Sequence, residues 1–178
     1  FIKVLKKVEI KNGLRSISIE PFKNDFRIDF ELIYQNQLIG NQKEVINVSR
    51  DNLDSIYKAR TFCLYEDIEK MKALGLIKGG SLKNAIVVKA DKILNDSGLR
   101  EKNEFVKHKI LDCLGDFMLS KHRVFGLVKC VHGGHQLTNE LLQKFFSDNS
   151  NWKLVNVDEK EFNKRENYGY NSPIAINA

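Results

Sequence analysis

The sequence has 178 residues, of which 42% are hydrophobic and 29% are charged, a balance typical of a globular protein with one sizeable core. No segment approaches the roughly 20 apolar residues of a membrane-spanning helix, and the three cysteines, an odd number without a CxxC pair, indicate reduced thiols in a cytoplasmic protein rather than a disulfide scaffold. The net charge of +6 favours an anionic partner, but without an arginine-rich run or a strand of paired aromatic residues it does not indicate nucleic acid.

The first part of the chain is predicted to be mainly β-structure. Polar and apolar residues alternate there, which is the pattern of strands with one buried face. The alternating segments are SISIEPF, FRIDFELIY and KEVINVS, at 16–22, 26–34 and 43–49. The next segment, SRDNLDSIYKAR, predicts a helix capped by Ser49, because Leu53, Ile56 and Tyr57 keep helical spacing.

Strands and helices mix in the remainder. TFCLY predicts a short strand, EDIEKMKALG a helix that Gly75 ends, and NAIVVKA a second strand. A long helix follows from about 101 to 119, then the strand HRVFGLVKCV, the tight loop HGGH and the helix LTNELLQKFF. After Asp148 the chain is polar and irregular. We therefore predict one α+β domain over 1–155, with a mixed or antiparallel sheet packed on helices, and an irregular tail over 156–178.

The long helix carries a narrow polar stripe. Its segment HKILDCLGD places His108, Asp112 and Asp116 four positions apart, and such positions lie about 40° apart around a helix. A solvated face would more often carry Lys and Glu. The opposite side is apolar and predicts the core face: Val106, Ile110, Cys113 and Phe117. The stripe therefore indicates a functional surface.

Metal binding is one interpretation of this stripe. His108 and Asp112 lean over the same surface patch and can bind one divalent ion, although the spacing alone fits a salt-bridged pair on a wet face better. The loop HGGH favours the metal, because its two glycines let the backbone approach a ligand and expose His132 and His135.

Two assemblies fit the spacing. In the first, four side chains close a structural site in a non-catalytic metal-binding or interaction module: His108, Asp112, His132 and His135. In the second, His108 and Asp112 bind zinc and await a third ligand, which leaves a position for water, while a loop histidine acts as an acid or stabilises charge. Asp116 then keeps that histidine protonated, and Lys109 meets an anionic group of the substrate.

Three segments resemble, in order and spacing, one family of zinc amidases. They are ARTFCLYEDIEKMKALGLIKGGSLKNAIVV, LNDSGLREKNEFVKHKILDCLGD and VHGGHQLTNELL. All three are similar to the UDP-3-O-acyl-N-acetylglucosamine deacetylases of Gram-negative bacteria, which carry out the committed step of lipid A synthesis. The similarity extends from about Asn47 to Phe146. It implies the C-terminal domain of a two-domain sandwich, with a small strand–helix–strand insert at 61–88.

The resemblance also implies the second assembly, acting on the acetamide of UDP-3-O-(3-hydroxyacyl)-N-acetylglucosamine. His108 and Asp112 match the family's zinc ligands, although a His, Asp and His ligand set also suits Fe²⁺. His135 matches the loop histidine that acts as general acid or stabilises the oxyanion, Asp116 its supporting aspartate, and Thr61 a threonine that binds the tetrahedral intermediate. Residues that match substrate contacts are Lys109 and Phe62, and candidates to line the insert's acyl-chain passage are Tyr65, Ile68, Ser81, Ala85 and Val87.

The chain departs from the family pattern in two places. His132 stands where many relatives have a lysine, so a contact to the nucleotide phosphates is expected to be weaker or pH-dependent. The family takes its third zinc ligand and its general-base glutamate from an adjacent Glu-His pair in an N-terminal domain, and this chain contains no such pair. Since it also starts at Phe1 rather than at a methionine, we expect the C-terminal half of the enzyme, inactive without its N-terminal half as a partner.

Overall fold

Ten strands and four helices make up the computed structural model, which describes residues 1–23 and 25–157. The strands are β1 Ile2–Val4, β2 Val8–Asn12, β3 Arg15–Glu20, β4 Phe26–Leu32, β5 Gln42–Asn47, β6 Thr61–Leu64, β7 Ala85–Lys89, β8 Lys92–Ile93, β9 Val124–Val131 and β10 Trp152–Leu154. The helices are α1 Asp54–Tyr57, α2 Ile68–Ala73, α3 Glu104–Met118 and α4 His135–Phe146, and Tyr65–Asp67 and Asn149–Asn151 form single 3-10 turns.

The main sheet is mixed and is organised around β9. This strand pairs in parallel with β1 and β4 and antiparallel with β3, while β2, β5 and β10 pair antiparallel with β3, β4 and β1. Strand β4 shows why the sequence folds in this way. Its apolar residues Phe26, Ile28, Phe30 and Leu32 are all buried, whereas the polar residues between them are partly exposed. The alternation therefore turns one face of the sheet towards a core.

Two helices cover that face. Helix α3 packs on β4 and β5, and α4 packs on β2, β3 and α3. Their apolar sides supply fully buried residues such as Phe105, Ile110 and Leu141. The predicted α+β class, with a sheet packed on helices, is confirmed. Among the residues that the structure describes, no helix is both long and apolar enough to cross a bilayer.

A second, three-stranded sheet contains the predicted insert. Strands β6 and β7 are parallel, α2 lies in the connection between them, and β8 completes the sheet antiparallel to β7. Ile86 and Val88 are fully buried in the main core, and Phe62 and Leu64 pack against it. Successive side chains point to opposite faces of a strand, so Cys63, Ala85 and Val87 lie on the face turned away from that core.

The structure corrects the sequence prediction at both ends of the sheet. Strands β1, β2 and β10 were not predicted, and Trp152 lies in β10 rather than in an irregular tail. The reason is that β10 is three residues long and pairs with β1 at the other end of the chain, so no local pattern marks it. The predicted tail, 156–178, lies outside the described residues except for its first two.

One helix cap was also predicted wrongly. Helix α1 is a single turn that begins at Asp54, and the side chain of Asn52, not Ser49, accepts a hydrogen bond from the Asp54 N–H at 2.8 Å. The Ser49 N–H instead donates to the Asp25 carboxylate. The end of α2 is as predicted, because Gly75 follows the helix with a φ of 70°, in the left-handed region that favours glycine.

Candidate metal centre

The polar stripe of α3 faces out of the core. His108, Asp112 and Asp116 are partly exposed, while the opposite residues Val106, Ile110, Cys113 and Phe117 are buried, so the predicted core face is confirmed. All three cysteines are free, and burial raises the pKa of Cys113 and raises that of Cys130 to about 12, so these two thiols stay protonated. The stripe and the start of α4 supply the side chains of the candidate site.

His108 is held by the backbone of the segment before β6. Its Nδ1 lies 3.2 Å from the Ala59 carbonyl oxygen. A carbonyl only accepts, so Nδ1 carries the proton and Nε2 is left as the free ligand atom. That Nε2 lies 3.2 Å from Asp112 Oδ1. Two ligand atoms of a tetrahedral zinc ion with bonds near 2.0–2.1 Å are about 3.3 Å apart, so this pair has the spacing of two neighbouring ligands.

A buried ion pair fixes the segment that presents the Ala59 carbonyl. The guanidinium of Arg60 contacts both carboxylate oxygens of Glu104, at 2.8 and 3.0 Å, and both side chains are almost fully buried. The backbone N–H groups of Arg60 and Arg100 donate to the same carboxylate. Burial alone would raise the pKa of Glu104, but these hydrogen bonds outweigh it and the pKa lies below its usual value. The pair therefore anchors residues 59–61 to the first turn of α3.

Lys109 lies beside the His108–Asp112 pair. Its Nζ is 2.7 Å from Asp112 Oδ2, and its side chain is largely covered. Asp112 thus faces His108 with one oxygen and a lysine with the other. The lysine places a positive charge within reach of anything that binds at this pair.

His135, the first residue of α4, completes the cluster. Its Nδ1 lies 2.9 and 3.0 Å from the two oxygens of Asp116, which can only accept, so Nδ1 donates. The ring is 67% exposed, and its Nε2 lies 3.8 Å from Asp112 Oδ1, which is too long for a hydrogen bond. Nε2 therefore remains available to a substrate next to the His108–Asp112 pair.

Gly133 explains why the loop before His135 contains glycine. A Cβ at Gly133 would overlap the buried Sγ of Cys130. The loop therefore runs directly over the end of β9, and this close approach sets the start of α4. The glycine signal in HGGH is thus partly a packing requirement.

His132, the other loop histidine, lies apart from the ligand pair. Its ring packs edge-on against Tyr34 at 5.6 Å, and its buried Nδ1 has no hydrogen-bond partner among the described residues. Within residues 1–23 and 25–157, no group of three or more His, Cys, Asp or Glu side chains is placed to hold a metal ion. The closed site of His108, Asp112, His132 and His135 is therefore not formed there.

Most of the residues expected to contact substrate lie in the insert, in β6, in β7 and in the connection between them. Thr61 is exposed at the start of β6, two positions after Ala59, and Phe62 packs against Phe105 and Tyr34 at 5.0 and 5.8 Å. Ser81 and Tyr65 are exposed, Ile68 and Ala85 are partly exposed, and Val87 is buried outside the main core. Thr61 thus follows the segment that holds His108, and it also lies opposite Ala85 in the pairing of β6 with β7.

Sequence reasoning missed the groups that position the site. The Ala59 carbonyl, Arg60 and Glu104 were not singled out, because an Arg and a Glu 44 positions apart give no sign that they meet. Only an Arg directly before the matched Thr61 could have drawn attention to the pair. Tyr34, which links His132 to Phe62, was missed for the same reason.

His132 provides a first prediction. Burial, followed by the charges of Arg15 and Lys109, lowers its pKa below the usual 6.5, so the folded chain takes up a proton there less readily than the unfolded chain. The titration of His132 should therefore leave the free energy of unfolding unchanged above about pH 6.5 and should lower it as the pH falls below that value. We expect His132→Asn, which tolerates the φ of 49° at this position, to lose less stability than the wild type between pH 7.5 and 5.5 in urea unfolding.

The exposed His122 gives the matched control for this prediction. His122→Asn should keep the wild-type dependence on pH. An unchanged loss in the His132→Asn variant would show that His132 is not the group that titrates.

The chain is similar in sequence to one group of enzymes. A family model described as UDP-3-O-acyl N-acetylglycosamine deacetylase matches residues 1–147. Proteins named UDP-3-O-acyl-N-acetylglucosamine deacetylase are 38% identical in Campylobacter fetus subsp. fetus, 39% in Pseudoalteromonas translucida and 36% in Pasteurella multocida, over 90%, 89% and 99% of this chain. These matches cover 54%, 53% and 57% of the relatives, so the chain spans about half the length of the curated relatives it matches. From the extent of the family match, this chain belongs to the UDP-3-O-acyl N-acetylglycosamine deacetylase family.

Proposed function

We propose that this chain supplies part of the active site of a zinc-dependent amidase that removes the acetyl group from UDP-3-O-(3-hydroxyacyl)-N-acetylglucosamine. The observation that carries the proposal is the cluster of His108, Asp112, Asp116 and His135, joined across α3 and α4 in a chain that belongs to this family. The substrate and the place of the reaction in lipid A synthesis come from the family resemblance.

His108 Nε2 and Asp112 would hold the metal ion. Their spacing and the proton on His108 Nδ1 fit that role. When bound, zinc would polarise the acetamide carbonyl and lower the pKa of a water molecule. Fe²⁺ fits the same nitrogen and oxygen donors. We further propose that a general-base glutamate and a histidine that serves as the third metal ligand come from outside this chain. The chain itself contains no adjacent Glu-His pair.

His135 acts at the reacting carbonyl. Asp116 accepts from Nδ1 and so orients the ring. The exposed Nε2 then donates to the oxygen that becomes negative, or gives its proton to the leaving amine. Thr61, which follows the segment that holds His108, would add a hydroxyl group to the reacting centre. Lys109 offers a positive charge to an anionic group of the substrate and loses part of its contact with Asp112 in doing so.

The insert binds the acyl chain in this proposal. Cys63, Ala85 and Val87 share the face of the second sheet that is turned away from the main core, and Val87 is 7% exposed, so that face has a covered apolar part. Tyr65, Ile68 and Ser81 lie in the connection around α2. An apolar face next to Thr61 suits a chain attached to the sugar that carries the acetamide.

Three free thiols suit the reducing cytoplasm, where the nucleotide-linked substrate is expected. His132 is a poor contact for the substrate's phosphates at neutral pH, since its lowered pKa keeps it uncharged.

The test is a deacetylation assay on this chain alone and mixed with the complementary half of the Campylobacter fetus relative. We expect no turnover alone and measurable release of acetate after mixing. His135→Ala should then reduce turnover by roughly 10²–10⁴-fold, because an acid or oxyanion donor is lost. His122→Ala, at an exposed loop, is the matched control. Turnover by the chain alone at the rate of an intact relative would refute the shared active site.

A further inference from the structure

The insert ends in an apolar tip, which comprises residues 70–83. After α2 the chain returns to β7 through a short connection, and three of its leucines point outward. Leu74, Leu76 and Leu82 are 64%, 69% and 50% exposed. Apolar side chains grouped on an exposed loop commonly mark a surface that meets a partner.

An ordered helix end holds the first two leucines outward. The N–H of Gly75 donates to the Lys72 carbonyl at 2.9 Å, and the N–H of Leu76 donates to the Met71 carbonyl at 3.0 Å. With Gly75 in the left-handed conformation, these two bonds form a Schellman motif. The motif fixes the backbone at Leu74 and Leu76 while both side chains stay in solvent.

Two asparagines brace the returning half of the tip. Asn84 accepts from the Ser81 N–H and donates to the Gly79 carbonyl, both at 2.9 Å. The buried Asn95 donates to the carbonyls of Leu82 and Ala85 at 2.6 and 2.7 Å. The backbone at Leu82 is thus tied on both sides. The exposure of these leucines follows from the hydrogen-bonded structure of the tip.

The charge of the tip has a single sign. Residues 70–90 contain five lysines and no Asp or Glu: Lys70, Lys72, Lys78, Lys83 and Lys89. Lys72 pairs with Glu69 at 3.0 Å, and Lys89 lies over the Tyr65 ring at 4.4 Å. Lys70, Lys78 and Lys83 are exposed and surround the leucines in sequence. The partner of this surface must therefore be both apolar and anionic.

We propose that the tip, residues 70–83, docks on the surface of a bilayer that contains anionic lipids. Leu74, Leu76 and Leu82 enter the boundary between headgroups and acyl chains, and the lysines face the lipid phosphates. The three leucines are exposed, and a fluid interface can enclose exposed side chains without a matching pocket. Binding of the tip to a bilayer does not depend on the proposed enzymatic function.

The test measures partition of the whole chain onto vesicles by co-sedimentation. Vesicles with about one-third phosphatidylglycerol in phosphatidylcholine should bind the chain, pure phosphatidylcholine should bind it weakly, and about 0.5 M salt should release it. We expect Leu74→Ser/Leu76→Ser/Leu82→Ser to lower the partition coefficient about a hundredfold. We expect Lys70→Gln/Lys78→Gln/Lys83→Gln to lower it by about fivefold per lysine.

Matched controls change the same residue types elsewhere. Leu14→Ser/Leu119→Ser replaces leucines that are 91% and 76% exposed, and Lys3→Gln/Lys102→Gln/Lys153→Gln removes three other exposed lysines. Both should bind vesicles like the wild type, and circular dichroism should show all variants folded. The proposal is overturned by absent vesicle binding, by equal losses in the controls, or by leucine variants that dissociate a self-association in sedimentation velocity and still bind vesicles.

Discussion

Zinc should bind this chain alone only weakly, with a dissociation constant of about 1 μM or weaker, and should bind at least a hundredfold more tightly after the complementary half of a relative is added. The reason is the number of ligands. Structural sites with four protein ligands bind zinc with a free energy of about 10–16 kcal/mol. His108 and Asp112 supply only two ligands, so a much weaker dissociation constant is expected. Lys109 further weakens the site by holding the second oxygen of Asp112. Isothermal titration calorimetry, before and after mixing, measures both constants.

Single variants locate the site. His108→Ala and Asp112→Asn should remove the measurable binding, whereas His132→Ala and His122→Ala should leave it unchanged. Tight one-to-one binding by the chain alone, lost equally in His108→Ala and His132→Ala, would mean that the closed four-ligand site forms in solution. The proposal that His108 and Asp112 form an open site, completed by a ligand from outside this chain, would then be wrong.

Replacing Glu104 with alanine should destabilise the fold by about 3–5 kcal/mol, because it leaves the buried guanidinium of Arg60 without its counter-ion. The variant also removes the acceptor for two backbone N–H groups. Since the pKa of Glu104 lies below its usual value, the contribution of the carboxylate is present above the unfolded-state pKa and is lost as the pH falls towards the folded-state pKa. Urea unfolding at pH 7 measures the loss in the free energy of unfolding. Repeating it over a series of pH values tests whether the difference between wild type and variant shrinks as the pH falls.

Glu101 provides the matched control for Glu104. It precedes α3, contacts Lys107 and is exposed, so Glu101→Ala should change stability by less than about 0.5 kcal/mol. The Glu104 variant should in addition bind zinc less tightly in the mixed complex, because the Ala59 carbonyl no longer holds His108. Equal stabilities of the two variants would show that the buried pair does not anchor this segment.

Local pattern was sufficient for much of the fold. The alternation in β3, β4 and β5 and the helical spacing in α3 and α4 predicted these elements, because a half-buried strand or helix must repeat apolar residues with its own period. Strands β1, β2 and β10 escaped prediction. Strands β1 and β10 depend on pairing partners from distant parts of the chain, and a three-residue segment such as Ile2–Val4 is too short to show a period. Strand β2, in contrast, pairs with the neighbouring β3.

The sequence by itself determined the polar stripe of α3, the apolar side opposite to it and the family to which the chain belongs. Helical geometry places His108, Asp112 and Asp116 together wherever the helix lies. Only the tertiary structure decided that His135 meets Asp116 while His132 packs against Tyr34, since the two intervening glycines allow either histidine to face the stripe. It also brought Glu104 to Arg60 and the Ala59 carbonyl to His108. Such contacts depend on how α3 lies against α4 and against the segment before β6, and no local pattern records that packing.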